Sequence, residues 1–401
     1  MRSRKQNFSP SSKENANIFN LKDVGAGTKL LRVMPIFGTR PEAIKMASIV
    51  KELEAREQEI KTIVTVTAQH RHLLDQALNF FQIKPDYDLD IMRYDQTSSD
   101  VVSRIMLHLQ PLLIKEKPDI ILVQGDTSTC IGAALCAFYN RISIGHVEAG
   151  LRSWNRLSPF PEEQNRRLVD SMSDLLFAPT ERAKENLLKE GHDLSEVHVV
   201  GNSSIDVLSD LISQPREIDE QTVQAICNPD SELILVTAHR TENIGEPLLN
   251  LCKVIKSLAK EHPKRLQVVF PVHPNPHVSE IVTTELKGTQ NVTLLEPLPY
   301  NIFIALLKRS YLVITDSGGV QEEAAYLGKP NLILREYTER IESVESGTSI
   351  LVGTSAEKLK KNIDLLMNDS SFYNSAAKPI NPYGYGRAST KIVDYLLNSS
   401  L

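Results

Sequence analysis

The chain is poor in aromatic residues, which make up 6% of 401 positions and include a single tryptophan. Its four cysteines, Cys130, Cys136, Cys227 and Cys252, form no C-x-x-C pair. That scatter argues against a disulfide framework and reads as reduced, mostly buried thiols in a cytoplasmic protein. No apolar run reaches the ~18 residues that a membrane-spanning helix needs, so no membrane is expected as a partner. Neither sign of charge dominates: 45 basic and 50 acidic side chains leave a net charge of -5. A broad nucleic-acid surface is therefore not expected. The N-terminus has no apolar segment of the secretory kind. Residues 1–29 instead read as a disordered polar tail.

What remains is long and regular. A chain of 401 residues exceeds one ordinary core, which makes two domains the starting expectation. Short runs rich in β-branched residues alternate with amphipathic stretches. "LRVMPIF" (31–37), "KTIVTVT" (61–67), "DIILVQG" (119–125), "ISIGHV" (142–147), "DLLFAP" (174–179) and "VHVVG" (197–201) read as buried parallel strands. The pattern restarts with "ELILVTAH" (232–239), "LQVVFPVH" (266–273), "NVTLLEP" (291–297), "YLVITDSG" (311–318) and "PNLIL" (330–334). Repeated βαβ units predict two doubly wound α/β domains, over 30–203 and 204–384, joined near 201–206. A final helical pattern within 385–401 is free to pack back on the first domain. In such sheets the site lies beyond the carboxyl ends of the strands, which for two facing sheets means a cleft between domains.

The residues at those ends are chemically uneven. "GTRPEAIK" (38–45) places Arg40 and Lys45 at the mouth of a helix, without the Gly-Lys-Ser/Thr of a Walker loop. "GDTST" sets Asp126 just past a strand, where an aspartate also serves well as a helix cap. "GHVEAGLRS" gives Glu148 two residues after His146, which is not the H-E-x-x-H of a zinc site. "SPFPEEQNRR" puts Glu162 and Glu163 at a helix start, a place the helix dipole alone would explain. The second half adds His239 in "TAHRTEN" and Ser317, Gly318 and Gly319 in "TDSGGVQEEA". Glycines opening a helix let backbone N–H groups approach a phosphate, and Glu322 and Glu323 follow. Anion holders in one half and carboxylates in the other suit a nucleotide-sugar enzyme.

These motifs, together with "TAQHRHLLDQ", "FAPTERAKENLLKEG" and "YTERIESVESGT", resemble the non-hydrolysing bacterial UDP-N-acetylglucosamine 2-epimerases, from about residue 31 to the C-terminus. The resemblance implies a GT-B fold, two Rossmann-like domains facing across a cleft. It implies interconversion of UDP-GlcNAc and UDP-ManNAc by anti elimination of UDP to 2-acetamidoglucal and readdition, without a cofactor or an obligatory metal. By matched motif it implies catalytic roles for Asp126, Glu148, Glu162 and His239. It implies substrate contacts at Arg40, Lys45, Arg166, His239, Phe303, Ser317, Gly318, Gly319, Glu323 and Arg340. It also implies an activator site for a second UDP-GlcNAc at Gln69, His70 and Arg71, and a homodimer serving cell-surface polysaccharide synthesis. Three positions depart from the family pattern: Thr241 for arginine, Ile341 for proline, and Trp154 for a small residue. A hydrolysing epimerase, a GT-B glycosyltransferase and an inactive sugar-nucleotide sensor remain as other readings.

Overall fold

A computed structural model describes residues 29–214 and 220–399. The tail read over residues 1–29 thus lies outside the described residues, apart from Lys29.

The first sheet contains β1 (Leu31–Phe37), β2 (Ile60–Thr62), β3 (Thr65–Val66), β4 (Tyr87–Asp88), β5 (Ile120–Gln124), β6 (Ser143–Val147), β7 (Leu175–Ala178) and β8 (Val197–Val199). Its strands lie in the order β4-β3-β1-β5-β6-β7-β8, with β2 also paired to β1, and every pairing is parallel. The second contains β9 (Glu232–Thr237), β10 (Leu266–Pro271), β11 (Val292–Leu295), β12 (Leu312–Thr315), β13 (Asn331–Ile333) and β14 (Ser349–Leu351). Its order is β11-β10-β9-β12-β13-β14, again all parallel. Parallel strands need helices on both faces, and so all five residues of β5 are buried.

Two details differ from the sequence reading. The run over 61–67 is two strands, because the N–H of Val64 donates to the Asp86 carboxylate at 2.8 Å and leaves the ladder there. β4 and β14 are additional, and at two and three residues they are too short to show a period of two.

Each sheet reverses direction once, between β1 and β5 in the first and between β9 and β12 in the second. Those two switch points are where ligands settle in open α/β sheets. One apolar cluster runs through both halves, joining Val33 and Phe37 to Leu235, Tyr300 and Val313. Near the crossing between halves, the N–H of Asn202 donates to the Tyr383 carbonyl at 2.6 Å. Gly201 and Gly384 sit back to back there at φ +98° and +107°. A Cβ on Gly384 would stand 3.2 Å from the Gly201 Cα. The last helix, Ala388–Asn398, packs on the helix Arg40–Ala55 of the first half and on the connecting helix Ser203–Ser213, and Asp206 caps its start through Ala388 and Ser389. No helix among the described residues is long and apolar enough to cross a membrane.

Candidate active site

The site begins at Gly38, where β1 ends. A Cβ there would lie 1.8 Å from the Thr67 hydroxyl oxygen and 2.6 Å from that of Thr129, so only glycine lets the strand end run so close to its neighbours. Thr39 and Glu42 then form a capping box on the helix Arg40–Ala55. The buried Glu42 carboxylate also accepts from the Thr127 hydroxyl at 2.6 Å, which locks the loops after β1 and β5 together. Arg40 reaches the other half, donating to the Leu298 carbonyl at 2.6 Å. Lys45 is buried, and its ammonium is bound to the Glu148 carboxylate.

Asp126 is not the cap of the next helix. Thr127 is, accepting from the Cys130 N–H at 3.1 Å, and this frees the aspartate for Arg166, whose guanidinium lies 2.5 Å away. His146 fixes the loop from below. Its buried ring bonds the Gly125 carbonyl at 2.7 Å and the Asp170 carboxylate at 2.6 Å. It is a structural prop, with both nitrogens engaged.

Glu148 has a left-handed backbone, φ +70°, which costs a non-glycine residue on the order of 1–3 kcal/mol and concentrates at functional sites. Its carboxylate is the meeting point of both halves. It binds Lys45 and Gln124 (2.5 Å) from the first half and Arg340 (2.6 Å) from the second. Glu162 pairs with Arg240 of the second half at 2.9 Å, and its other oxygen is buried without a partner. Burial raises the Glu162 pKa, Arg240 opposes this, and the like charge of Asp126 adds to it. Glu163 accepts from the N–H groups of Ser153 (2.9 Å) and Trp154 (3.1 Å). Two charge-assisted hydrogen bonds, at ~1.5–3 kcal/mol each, outweigh the ~0.3–1 kcal/mol of a helix dipole, so this residue tethers the 151–161 loop.

The second half answers from β9, β12 and the segment after β13. Asp316 is fully buried and accepts from the N–H groups of His239 and Arg240 and from Asn243, each at 2.9 Å. Burial resists its ionisation, but the His239 ring at 3.1 Å and these donors hold its pKa well below the usual carboxylate range. His239 stacks on His273, whose pKa falls to about 4 through burial and then through the neighbouring imidazole. Ser317 caps the helix Gly318–Tyr326 without a side-chain bond, and Gly318 leaves room for Arg340, whose Cζ would stand 2.8 Å from an added Cβ. Glu322 and Glu323 are both buried. Glu322 binds Arg340 at 2.8 Å and Asn202 at 2.8 Å. Glu323 accepts from the Tyr300 hydroxyl at 2.8 Å, and burial lifts its pKa to about 7.

The structure thus gathers Asp126, Glu148, Glu162 and Arg166 with Arg340 and Arg240 where the two halves meet. His239, Ser317, Gly318 and Glu323 stand at the β9–β12 switch, and Gly319 follows in the same helix. Phe303 lies partly buried on the helix Tyr300–Arg309. The Gln69, His70 and Arg71 stretch is largely occupied. The Gln69 amide oxygen accepts from the Thr129 N–H (3.1 Å) and hydroxyl (2.9 Å). Arg71 forks onto Asp88 and Asp90 at 2.6–2.8 Å. His70 is driven toward neutrality by burial. Four participants escaped the sequence reading: Gln124, Arg240, Asp316 and Glu339. Arg240 and Asp316 adjoin residues singled out there. Glu339 adjoins Arg340 and contacts it and Arg335 locally, whereas Gln124 matters only through Glu148, 24 residues on.

Comparison with known proteins places these features in context. A family profile described as UDP-N-acetylglucosamine 2-epimerase matches residues 51–397. The UDP-N-acetylglucosamine 2-epimerase of Bacillus subtilis is 47% identical over 369 residues, covering 92% of this chain and 96% of that protein. A crystal structure of the Neisseria meningitidis UDP-GlcNAc 2-epimerase bound to UDP-GlcNAc is 44% identical, with TM-score 0.89, over 92% of this chain and all of that one. The Methanocaldococcus jannaschii enzyme in complex with UDP-GlcNAc and UDP is 36% identical, with TM-score 0.83, over the same shares.

Proposed function

We propose that this chain, which belongs to the UDP-N-acetylglucosamine 2-epimerase family, interconverts UDP-GlcNAc and UDP-ManNAc without hydrolysing either. The observation that carries the reading is the Glu148 junction, where a carboxylate from one half binds cations from both.

The C2 proton of the sugar is not adjacent to a carbonyl, so direct abstraction is too slow. Anti elimination of UDP avoids this by forming 2-acetamidoglucal, and readdition to the opposite face inverts C2. The leaving diphosphate needs cations already in place, and preorganised charge in a site shielded from water is commonly the largest catalytic contribution. Arg40, Lys45, Arg340 and the helix mouth at Ser317 take that role. Two of these cations are held by Glu148 here. A substrate diphosphate would exchange for that carboxylate and release it toward the sugar. Asp126, Glu148 and Glu162 then share removal and return of the C2 proton. Burial raises the Glu162 pKa and so favours its protonated form, which suits it to the proton-donating side of the exchange. Glu323 and Phe303 take the ribose and uracil.

The same reading includes a cytoplasmic homodimer. Leu107 (71% exposed) and Ile114 (59%) lie one heptad apart on the helix Ser98–Glu116, which packs on the helix Ser128–Tyr139 that carries the exposed Phe138 and Tyr139. Light scattering should give twice the chain mass; a monomeric mass would remove this part. For the reaction, ¹H and ³¹P NMR of UDP-GlcNAc with enzyme should show UDP-ManNAc growing in while total nucleotide sugar is conserved. Accumulation of free ManNAc and UDP would establish the hydrolysing reading instead. Turnover only when an acceptor is added would favour a glycosyltransferase.

A further inference from the structure

Glu339 lies in the segment between β13 and β14, 3% exposed, and no part of the proposed chemistry uses it. Its carboxylate is the convergence point of several arginines. One oxygen is 3.0 Å from the Arg335 guanidinium. The other is bound to Arg340 and lies 3.8 Å from Arg166. Arg340 holds Glu148 at 2.6 Å, and Arg166 holds Asp126 at 2.5 Å. Glu339 therefore stands one guanidinium away from two of the three proposed proton-transfer carboxylates, which belong to the opposite half of the molecule.

From this geometry we infer that Glu339 is the positioning residue of the reaction, fixing the aim of Arg340 and Arg166 and so the placement of Glu148 and Asp126. The inference rests on the epimerase reading and adds a residue to it. The physical reason is one of counting charges. Arg335, Arg340, Arg166 and the nearby Arg240 bring four positive charges to the far side of the cluster. Without that central anion they would repel one another and lose their fixed aim at the site carboxylates. With Glu339 ionised, Arg340 keeps one edge anchored on it while the other meets Glu148, and Arg166 stays within 3.8 Å of it while holding Asp126. Burial opposes that ionisation, but the arginines, Arg335 first, hold the Glu339 pKa far below the carboxylate range, so the anchor is charged at every working pH. Behind it, a cavity of about 250 Å³ opens between the 151–154 loop and residues 336–342.

Glu339→Gln keeps the shape and removes the charge. The variant should fold, bind UDP-GlcNAc with KM changed less than about threefold, and lose at least about 10-fold in kcat. The pH profile separates positioning from bulk structure. Arginines that lose the Glu339 charge favour the anionic state of whichever site carboxylate sets the acidic limb of kcat/KM, so that limb should move to lower pH. Glu339→Asp restores the charge but shortens the reach. Its acidic limb should return to the wild-type position while kcat stays depressed. If Glu339→Gln does not fold, Glu339→Asp decides: depressed kcat with unchanged KM supports the inference, and wild-type kcat overturns it. Variants with superimposable pH limbs and kcat within twofold of wild type would also overturn it. Wild-type enzyme run in parallel separates the two: an inactive wild type refutes the epimerase reading and this inference with it, whereas an active wild type with unaltered variants refutes the inference alone.

Discussion

Replacing Glu323 by glutamine should stabilise the protein, and only above mildly acidic pH. Glu323 is 5% exposed, its hydrogen-bond partner is the Tyr300 hydroxyl, and its neighbour in sequence is the equally buried Glu322. Burial raises its pKa from 4.5 to about 7. At ~1.4 kcal/mol per pH unit, ionising it inside the fold costs about 3 kcal/mol relative to the unfolded chain. The sign follows from which state keeps the proton. Below pH 4.5 both states hold it and there is no penalty. Between 4.5 and about 7 the unfolded chain has released it and the folded one has not, so stability falls as pH rises; above 7 the full penalty is present. Glutamine keeps an acceptor for Tyr300 and removes the charge. With an unfolding entropy of about 0.8 kcal/mol/K for a chain of this size, the variant should melt about 4 °C above wild type at pH 8 and equal it near pH 4.5. Differential scanning calorimetry across that range, without nucleotide, reads the difference directly. Other raised carboxylates, Glu42 and Glu162 among them, are common to both proteins and cancel. Parallel melting curves with no pH-dependent gap would refute the reasoning, and with it the picture of Glu323 as a buried acid awaiting polar partners from a ligand.

Asp126→Asn and Glu148→Gln should each lower kcat at least ~10²-fold, the low end for general acid–base groups. Wild-type rates in steady-state assays would leave them as structural anchors of Arg166 and Arg340. If a second UDP-GlcNAc acts as activator at Gln69, His70 and Arg71, the reverse reaction from pure UDP-ManNAc should lag, and a trace of UDP-GlcNAc should abolish the lag. Because Gln69 and Arg71 are engaged with Thr129 and with Asp88 and Asp90, such binding must exchange those partners. Full initial velocity from UDP-GlcNAc-free substrate would remove the activator site.

The fold was legible because its signals are local. Buried parallel strands such as "IILVQ" are continuous apolar runs, and their repetition after residue 231 announces a second sheet. The strand ends carried Asp126, Glu148, His239 and Ser317 in plain view. What stayed hidden depends on contacts across the chain. Nothing local distinguishes Glu163, which holds the 151–161 loop, from a glutamate that merely favours a helix start. Glu322 and Glu323 follow a helix mouth with no apolar period to signal that both faces are covered. Asp316 acquires meaning only when the backbone donors of His239 and Arg240 arrive at it, and Glu339 when Arg166 from the other half joins its sequence neighbours Arg335 and Arg340. The break between β2 and β3 is of the same kind, set by Asp86, 22 residues on from Val64.

The most direct test of the account is hydrogen exchange at C2. When UDP-GlcNAc turns over in D₂O, ¹H NMR should show loss of the C2 proton signal in the UDP-ManNAc formed and, as the reaction equilibrates, in the remaining UDP-GlcNAc, because the carboxylates that take and return the proton exchange it with solvent. UDP-ManNAc that retains the original C2 hydrogen would contradict the elimination route and the roles given to Asp126, Glu148 and Glu162.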